Sequence, residues 1–242
     1  AASVLLHKDN PRLVEDVGEP VFLEAPQSKG TLAFAEEKFR YFCHLVKGWE
    51  GYERFHSLLR PMMDEMWERL SQVYSVRHTL NVLNHGDVWT NNVLFKYDSN
   101  GKIEKVMMVD YQMCVYGSVG IDLQYFTYTS IHPQVREHRL DELYSLYLKA
   151  LNDNLEEFGC EERMSEEDFK EEIRLTTFFG LFTLIVPCNV IYSGLFASKS
   201  GNDQNDVESQ DENYQICSNK PFKPNVKQGL LYLERTGFFK SN

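Results

Sequence analysis

Apolar residues recur at helical spacing at Leu32, Ala35, Phe39, Phe42 and Val46, and Gly48 and Gly51 punctuate the end of that run. Residues 52–74 continue the helical pattern. Pro61 is expected to interrupt it and open a new first turn, with Met62, Met66, Leu70 and Val73 on one face. Upstream, residues 1–6 read as the second half of a helix whose beginning is absent. Residues 9–30 are loop-rich, with Asp9-Asn10-Pro11, Gly18-Glu19-Pro20, Pro26 and Gly30. The pattern then changes. Residues 80–83 form a short apolar run, and residues 93–97 and 103–109 are β-type runs. Between those two runs lies Asp98-Ser99-Asn100-Gly101, a strong turn signal. The spacing predicts a β-hairpin over 93–110, entered by a loop at 84–92. Helical spacing resumes over 121–131, and Leu140, Leu143, Tyr147, Leu151 and Leu155 mark a further helix ending near Gly159. Ser165-Glu166-Glu167-Asp168 is a capping box that opens a long apolar helix. Residues 198–220 are polar, acidic and aperiodic and are expected to form a mobile loop. Residues 226–239 form a last amphipathic helix. There is no internal repeat. The fold class is mainly α with a central β-hairpin.

One stretch tests whether the chain is soluble. Residues 175–198 carry no charge and are long enough to span a bilayer. They also hold Thr176, Thr177, Thr183, Pro187, Asn189 and Ser193, and they continue a strongly amphipathic acidic segment. A buried core helix, apolar all round, is favoured over a membrane span. Composition agrees: hydrophobic residues are 43% and charged residues 25%, ordinary for a globular protein. With 36 Asp and Glu against 25 Lys and Arg, the net charge is −11. That balance argues against a general nucleic-acid surface and against docking on anionic lipid, but leaves room for a local phosphate site. The five cysteines are scattered, with no CxxC or metal-ligand spacing, and read as reduced thiols of a cytoplasmic protein. The start of the chain is not a signal peptide.

The stretch that carries chemistry is His85-Gly86-Asp87-Val88-Trp89-Thr90-Asn91-Asn92, followed by Val109-Asp110-Tyr111-Gln112 and by Gly120-Ile121-Asp122-Leu123-Gln124-Tyr125-Phe126. Pairing the hairpin strands brings Asp87, Asn92 and Asp110 to one edge. Two carboxylates and an amide oxygen are hard ligands suited to Mg²⁺, which keeps waters and binds substrate phosphates. A remaining Asp can accept a proton from a hydroxyl nucleophile, as in phosphoryl transfer. Asp and Asn favour turns and caps in any case, which is the competing reading. Three such residues in register with one hairpin favour a site. Asp122, starting a helix after Gly120, is at least as readily an N-cap. Trp89, Tyr111, Tyr125 and Phe126 line an acceptor pocket or simply pack.

These motifs together resemble the aminoglycoside phosphotransferase and choline kinase superfamily, and in particular its ecdysteroid kinase-like branch. Ala1-Ala2-Ser3 is similar to the segment just after that family's nucleotide-binding lobe. The resemblance extends over essentially the whole chain, as the helical C-terminal lobe of a protein-kinase-like (α+β) fold. It implies that Asp87 is the catalytic base and that Asn92 and Asp110 are Mg²⁺ ligands meeting the phosphates of ATP. His85 and Asp122 then hold the catalytic loop, and Gln112 and Trp89 border the site. The acceptor implied is an alcohol on a small lipophilic molecule such as an ecdysteroid. Choline, ethanolamine or another small molecule is the alternative on the same scaffold.

In one respect the sequence departs from the family. No GxGxxG and no GxxxxGK[ST] occurs among its 14 glycines, and no strand-borne Lys precedes a helical Glu upstream of the loop. The expectation is that residues 1–242 form the C-terminal lobe with the nucleotide lobe absent, so that the chain alone is inactive. An inactive binding protein is the non-enzymatic alternative. The sequence carries no signal for an oligomeric state.

Overall fold

The computed structural model describes residues 1–20, 28–77, 79–192 and 222–240. Those residues are mostly helical, with two small antiparallel sheets, consistent with the kinase-like lobe that the resemblance implies. They divide into two compact units. The polar stretch 198–220 lies outside the described residues.

The first unit comprises residues 1–28 and 67–180. It opens with α1 (Ala2–Asp9) and α2 (Pro11–Val17). The second of these falls where the sequence reads as loop. Asp9-Asn10-Pro11 is a helix start: the Asn10 side chain accepts the Leu13 N–H at 3.3 Å, and Pro11 takes the first helical position, where no donor is needed. Val14 on α2 is buried, which secures so short a helix. The unit continues beyond α5 (Met66–Tyr74) into strands β1 (Asn81–Asn84), β2 (Val93–Tyr97), β3 (Ile103–Met108) and β4 (Val115–Ser118).

The strand pairing is nested. β2 pairs with β3, as the turn signal predicts, with Val93 opposite Met108. β1 pairs with β4 in a second sheet, with Asn84 opposite Val115, which the sequence pattern does not reveal. Four-residue strands are too short for an alternating pattern to stand out, and their partners are separated by the whole inner hairpin. Nesting has one geometric consequence: the segments 85–92 and 109–114 run between the two sheets, side by side.

Helices α6 (Gly120–Thr129), α7 (Pro133–Glu157) and most of α8 (Glu166–Ile185) complete this unit. Val4, Leu80, Val82, Val119, Leu148, Leu151, Leu155 and Phe169 form its core cluster. The N-cap half of the capping box is realised, because the Ser165 hydroxyl accepts the Asp168 N–H at 3.0 Å, and the same hydroxyl donates to the Asp168 carboxylate at 2.6 Å. Glu172 on α8 is almost fully buried. Its carboxylate takes bonds from Arg77 Nε at 3.1 Å, Thr79 Oγ1 at 3.0 Å and Ser118 Oγ at 2.5 Å, fastening α8 to the segment entering β1 and to the end of β4.

The second unit holds α3 (Ser28–Val46), α4 (Arg54–Asp64), α9 (Pro187–Tyr192) and α10 (Phe222–Arg235). Pro61 sits inside α4, and the chain breaks at Glu65 instead of at the proline. A proline inside a helix removes one N–H bond and crowds the carbonyl four residues back, and buried Phe55, Leu59 and Met62 hold the helix across it. A Cβ on Gly229 would lie 2.5 Å from Leu184 Cδ2, so the glycine allows close approach at this point. Arg54 grips Glu234 with two bonds, Nε–Oε1 at 2.7 Å and Nη2–Oε2 at 2.6 Å.

The apolar segment spanning α8 and α9 is long and apolar enough to cross a membrane by length and composition. Of its most apolar window, 61% is buried inside the protein. The hairpin β2–β3 is the opposite case. Phe95 and Val106 on one face, and Leu94 and Met107 on the other, are all exposed.

Two outcomes follow. Glu172→Ala takes the shared acceptor from half-buried Arg77, from Thr79 and from Ser118, and should lower the free energy of unfolding by about 1–3 kcal/mol in denaturant titrations. The chain should also bind a hydrophobic dye, and Phe95→Ser with Val106→Thr should reduce that binding without lowering the melting temperature.

Candidate functional site

The segments between the two sheets are tied together from both sides. Val109 N–H donates to the Asn92 carbonyl at 3.0 Å, closing the inner hairpin one residue beyond the ladder. Asn84, the last residue of β1, donates its amide to the Val115 and Ser118 carbonyls at 3.2 and 3.1 Å, closing the outer sheet. His85 bridges the gap. Its Nε2 lies 2.9 Å from the Val109 carbonyl, which only accepts, so Nε2 carries the proton. Nδ1 then accepts the Asp87 N–H at 3.4 Å.

The turn at Gly86 is available to glycine alone. Its φ is +79°, and a Cβ there would lie 1.7 Å from the Met113 carbonyl oxygen. The two segments run too close here for any side chain at position 86.

Asp122, in the first turn of α6, does not cap its own helix. Its carboxylate reaches the loop instead. Oδ2 accepts the His85 N–H at 2.7 Å and Oδ1 accepts the Gly86 N–H at 2.9 Å. Burial pushes this carboxyl above the ordinary carboxylate range, against the opposing pull of those two backbone donors and of His85.

Asp87 is half-buried, and both of its carboxylate oxygens are engaged. Oδ2 accepts from the Asn92 side-chain amide at 2.9 Å, and Oδ1 accepts from the Tyr125 hydroxyl at 2.6 Å. The same Asn92 nitrogen also donates to the Asp87 carbonyl at 2.9 Å. With its nitrogen turned to Asp87, the planar Asn92 amide turns its oxygen away from Asp87. Asp110 follows Val109, the backbone partner of Asn92, and is exposed. Its Oδ2 accepts from the Gln112 amide at 3.3 Å. Asp110 has φ +69°, the one positive φ outside glycine among the described residues. A left-handed residue here costs about 1–2 kcal/mol, least for Asp and Asn, and such strain gathers at functional sites.

The sequence thus brings together Asp87 and Asn92 by direct contact, and Asp110 through its chain neighbour. Sequence reasoning assigned no bond to Tyr125. A signal was present, because Tyr125 stands three residues after Asp122 and shares its helix face. No group of three or more His, Cys, Asp and Glu side chains is gathered for a metal among the described residues. One amide oxygen and one carboxylate nevertheless fit Mg²⁺, which takes few protein ligands and fills its remaining positions with water and phosphate oxygen.

The ecdysteroid kinase-like family model matches residues 1–160. The chain belongs to that family. The match contains both segments between the sheets and all of α6, hence every contact of the site given in this subsection. It stops short of α8, whereas the sequence motifs suggested a likeness over the whole chain. No curated protein matches the chain. Membership of the ecdysteroid kinase-like family implies kinase-like phosphotransferase chemistry on small molecules, and ATP use in general.

The desolvated Asp122 carboxyl gives a signed pH dependence. Its folded carboxyl holds a proton more tightly than the unfolded one, so this contribution to stability is fully present below the ordinary value of 3.8 and is lost as pH rises through the raised value. The melting temperature of the wild type relative to Asp122→Asn should therefore fall as pH rises from 3.8. A difference that stays flat across that window contradicts the assignment.

Proposed function

We propose that the chain carries the base and the Mg²⁺ ligands of an ATP-dependent phosphotransferase acting on a hydroxyl of a small lipophilic molecule such as an ecdysteroid. The observation that carries this reading is the Asp87–Asn92 contact. It fixes a carboxylate at the gap between the nested hairpins and turns an amide oxygen away from it, with the strained Asp110 one residue from the backbone partner of Asn92. Asp87 is the group that receives the acceptor's proton. As the acceptor oxygen bonds to the γ-phosphorus, the bond from that phosphorus to the β–γ bridging oxygen breaks, the acceptor's proton passes to the Asp87 carboxylate, and ADP leaves. Asn92 Oδ1 and Asp110 are the Mg²⁺ ligands in this reading. When bound there, Mg²⁺ supplies neutralisation of charge on the β- and γ-phosphates.

The chain holds no glycine-rich phosphate loop, so we assign it the C-terminal lobe of the kinase, with adenine and the α-phosphate held by polypeptide outside these 242 residues. Tyr111, exposed beside Asp110 with its ring 4.6 Å from that of His85 and tilted by 42°, and Phe126, exposed beside Tyr125, suit an apolar acceptor. The four described cysteines are free, buried thiols, in keeping with the cytoplasmic location we propose.

The test is steady-state turnover of ecdysone with MgATP by the full gene product. Asp87→Asn should lower kcat by about 10²–10⁴-fold and leave nucleotide affinity within about twofold. A folded Asp87→Asn protein with near-normal turnover rejects the base assignment.

A further inference from the structure

We propose that Tyr125 is a positioning residue for Asp87, and that it and Asn92 together preset the carboxylate on which the acceptor hydroxyl docks. The inference rests on the phosphotransferase reading and adds to it a residue on another element.

Asp87 lies in a stretch with neither helix nor strand, so the backbone ladder does not fix its side chain. Its orientation comes from two donors on opposite oxygens. Asn92, from the same loop, holds Oδ2 at 2.9 Å. Tyr125, from α6, holds Oδ1 at 2.6 Å, the short distance of a hydroxyl bonded to a charged acceptor. One bond leaves a planar carboxylate free to swing about the remaining contact, and two set its plane.

The phenol is itself held. Its ring stacks on Phe179 at 6.3 Å and 26°, and Phe179 meets Tyr74 edge-on at 5.6 Å. Three residues earlier on the same helix, Asp122 grips the backbone of His85 and Gly86. Helix α6 therefore locates the catalytic loop twice, by its backbone through Asp122 and by the reactive side chain through Tyr125. With both oxygens already bonded, the remaining lone pairs point in fixed directions, and an incoming hydroxyl meets a set geometry. Because positioning acts on the reacting atoms, its loss appears in kcat and leaves nucleotide binding alone.

Tyr125→Phe removes the hydroxyl and keeps the ring against Phe179. In the full gene product with MgATP and ecdysone, it should lower kcat by about ten- to a hundredfold and leave the KM for ATP within about twofold. A crystal structure of the same variant should show the Asp87 carboxylate in a changed or multiple orientation, a readout independent of turnover. Asp87→Asn is measured in parallel. If Asp87→Asn is inactive while Tyr125→Phe turns over like the wild type, the positioning role is overturned and the phosphotransferase reading stands. If both turn over like the wild type, the phosphotransferase reading fails and takes this inference with it. A variant that loses stability with unchanged kcat, or raises the KM for ATP at constant kcat, makes Tyr125 a packing residue only and overturns the proposal.

Discussion

The candidate site depends on a single carboxylate that takes no part in the proposed chemistry. Asp122 is half-buried with its carboxyl desolvated, and a desolvated carboxylate is tolerable only where donors replace its water. The His85 and Gly86 N–H groups are those donors, and they would be orphaned in turn without it. The position of Asp122 in the first turn of α6 adds the favourable end of the helix dipole. Everything that follows in the loop is referred to this clamp: the ring of His85 reaching the Val109 carbonyl, the left-handed turn at Gly86, and the placement of Asp87.

The nested strands explain why so short a segment is ordered. The outer sheet fixes where the loop begins and the inner hairpin fixes where it ends, while Glu172 anchors the outer sheet to α8 through Ser118. Among the described residues, the one left-handed backbone outside glycine is Asp110, where the chain leaves the inner hairpin. A packed framework on both sides is what lets such a conformation persist. The exposed hairpin beyond it contributes register and little burial.

Much of this was legible from residue patterns, for physical reasons. The helix at Leu32 to Val46 and the 93–110 hairpin announce themselves because each satisfies one clear period or turn rule. The capping box at Ser165 is a local interaction and is found where local chemistry puts it. What escaped was either short or non-local. β1 and β4 are four residues each and pair across the inner hairpin. α2 hides in a proline-containing stretch that reads as loop until Asn10 is seen as a cap. Pro61 reads as a helix break in the sequence, yet it lies inside a helix because buried residues flank it. At the site, the motif brought Asp87 and Asn92 to notice, but the Tyr125 hydroxyl arrives from a helix whose orientation only tertiary packing sets.

The central claim is that Asn92 and Asp110 form the metal-binding half of a phosphoryl-transfer site whose base is Asp87. The most direct measurement is a crystal structure of the full gene product with Mg²⁺ and a non-hydrolysable ATP analogue. The account predicts an ion with Asn92 Oδ1 and an Asp110 oxygen at about 2.0–2.1 Å, and the γ-phosphate facing Asp87. An ion bound to other side chains, or a γ-phosphate turned away from Asp87, would contradict it.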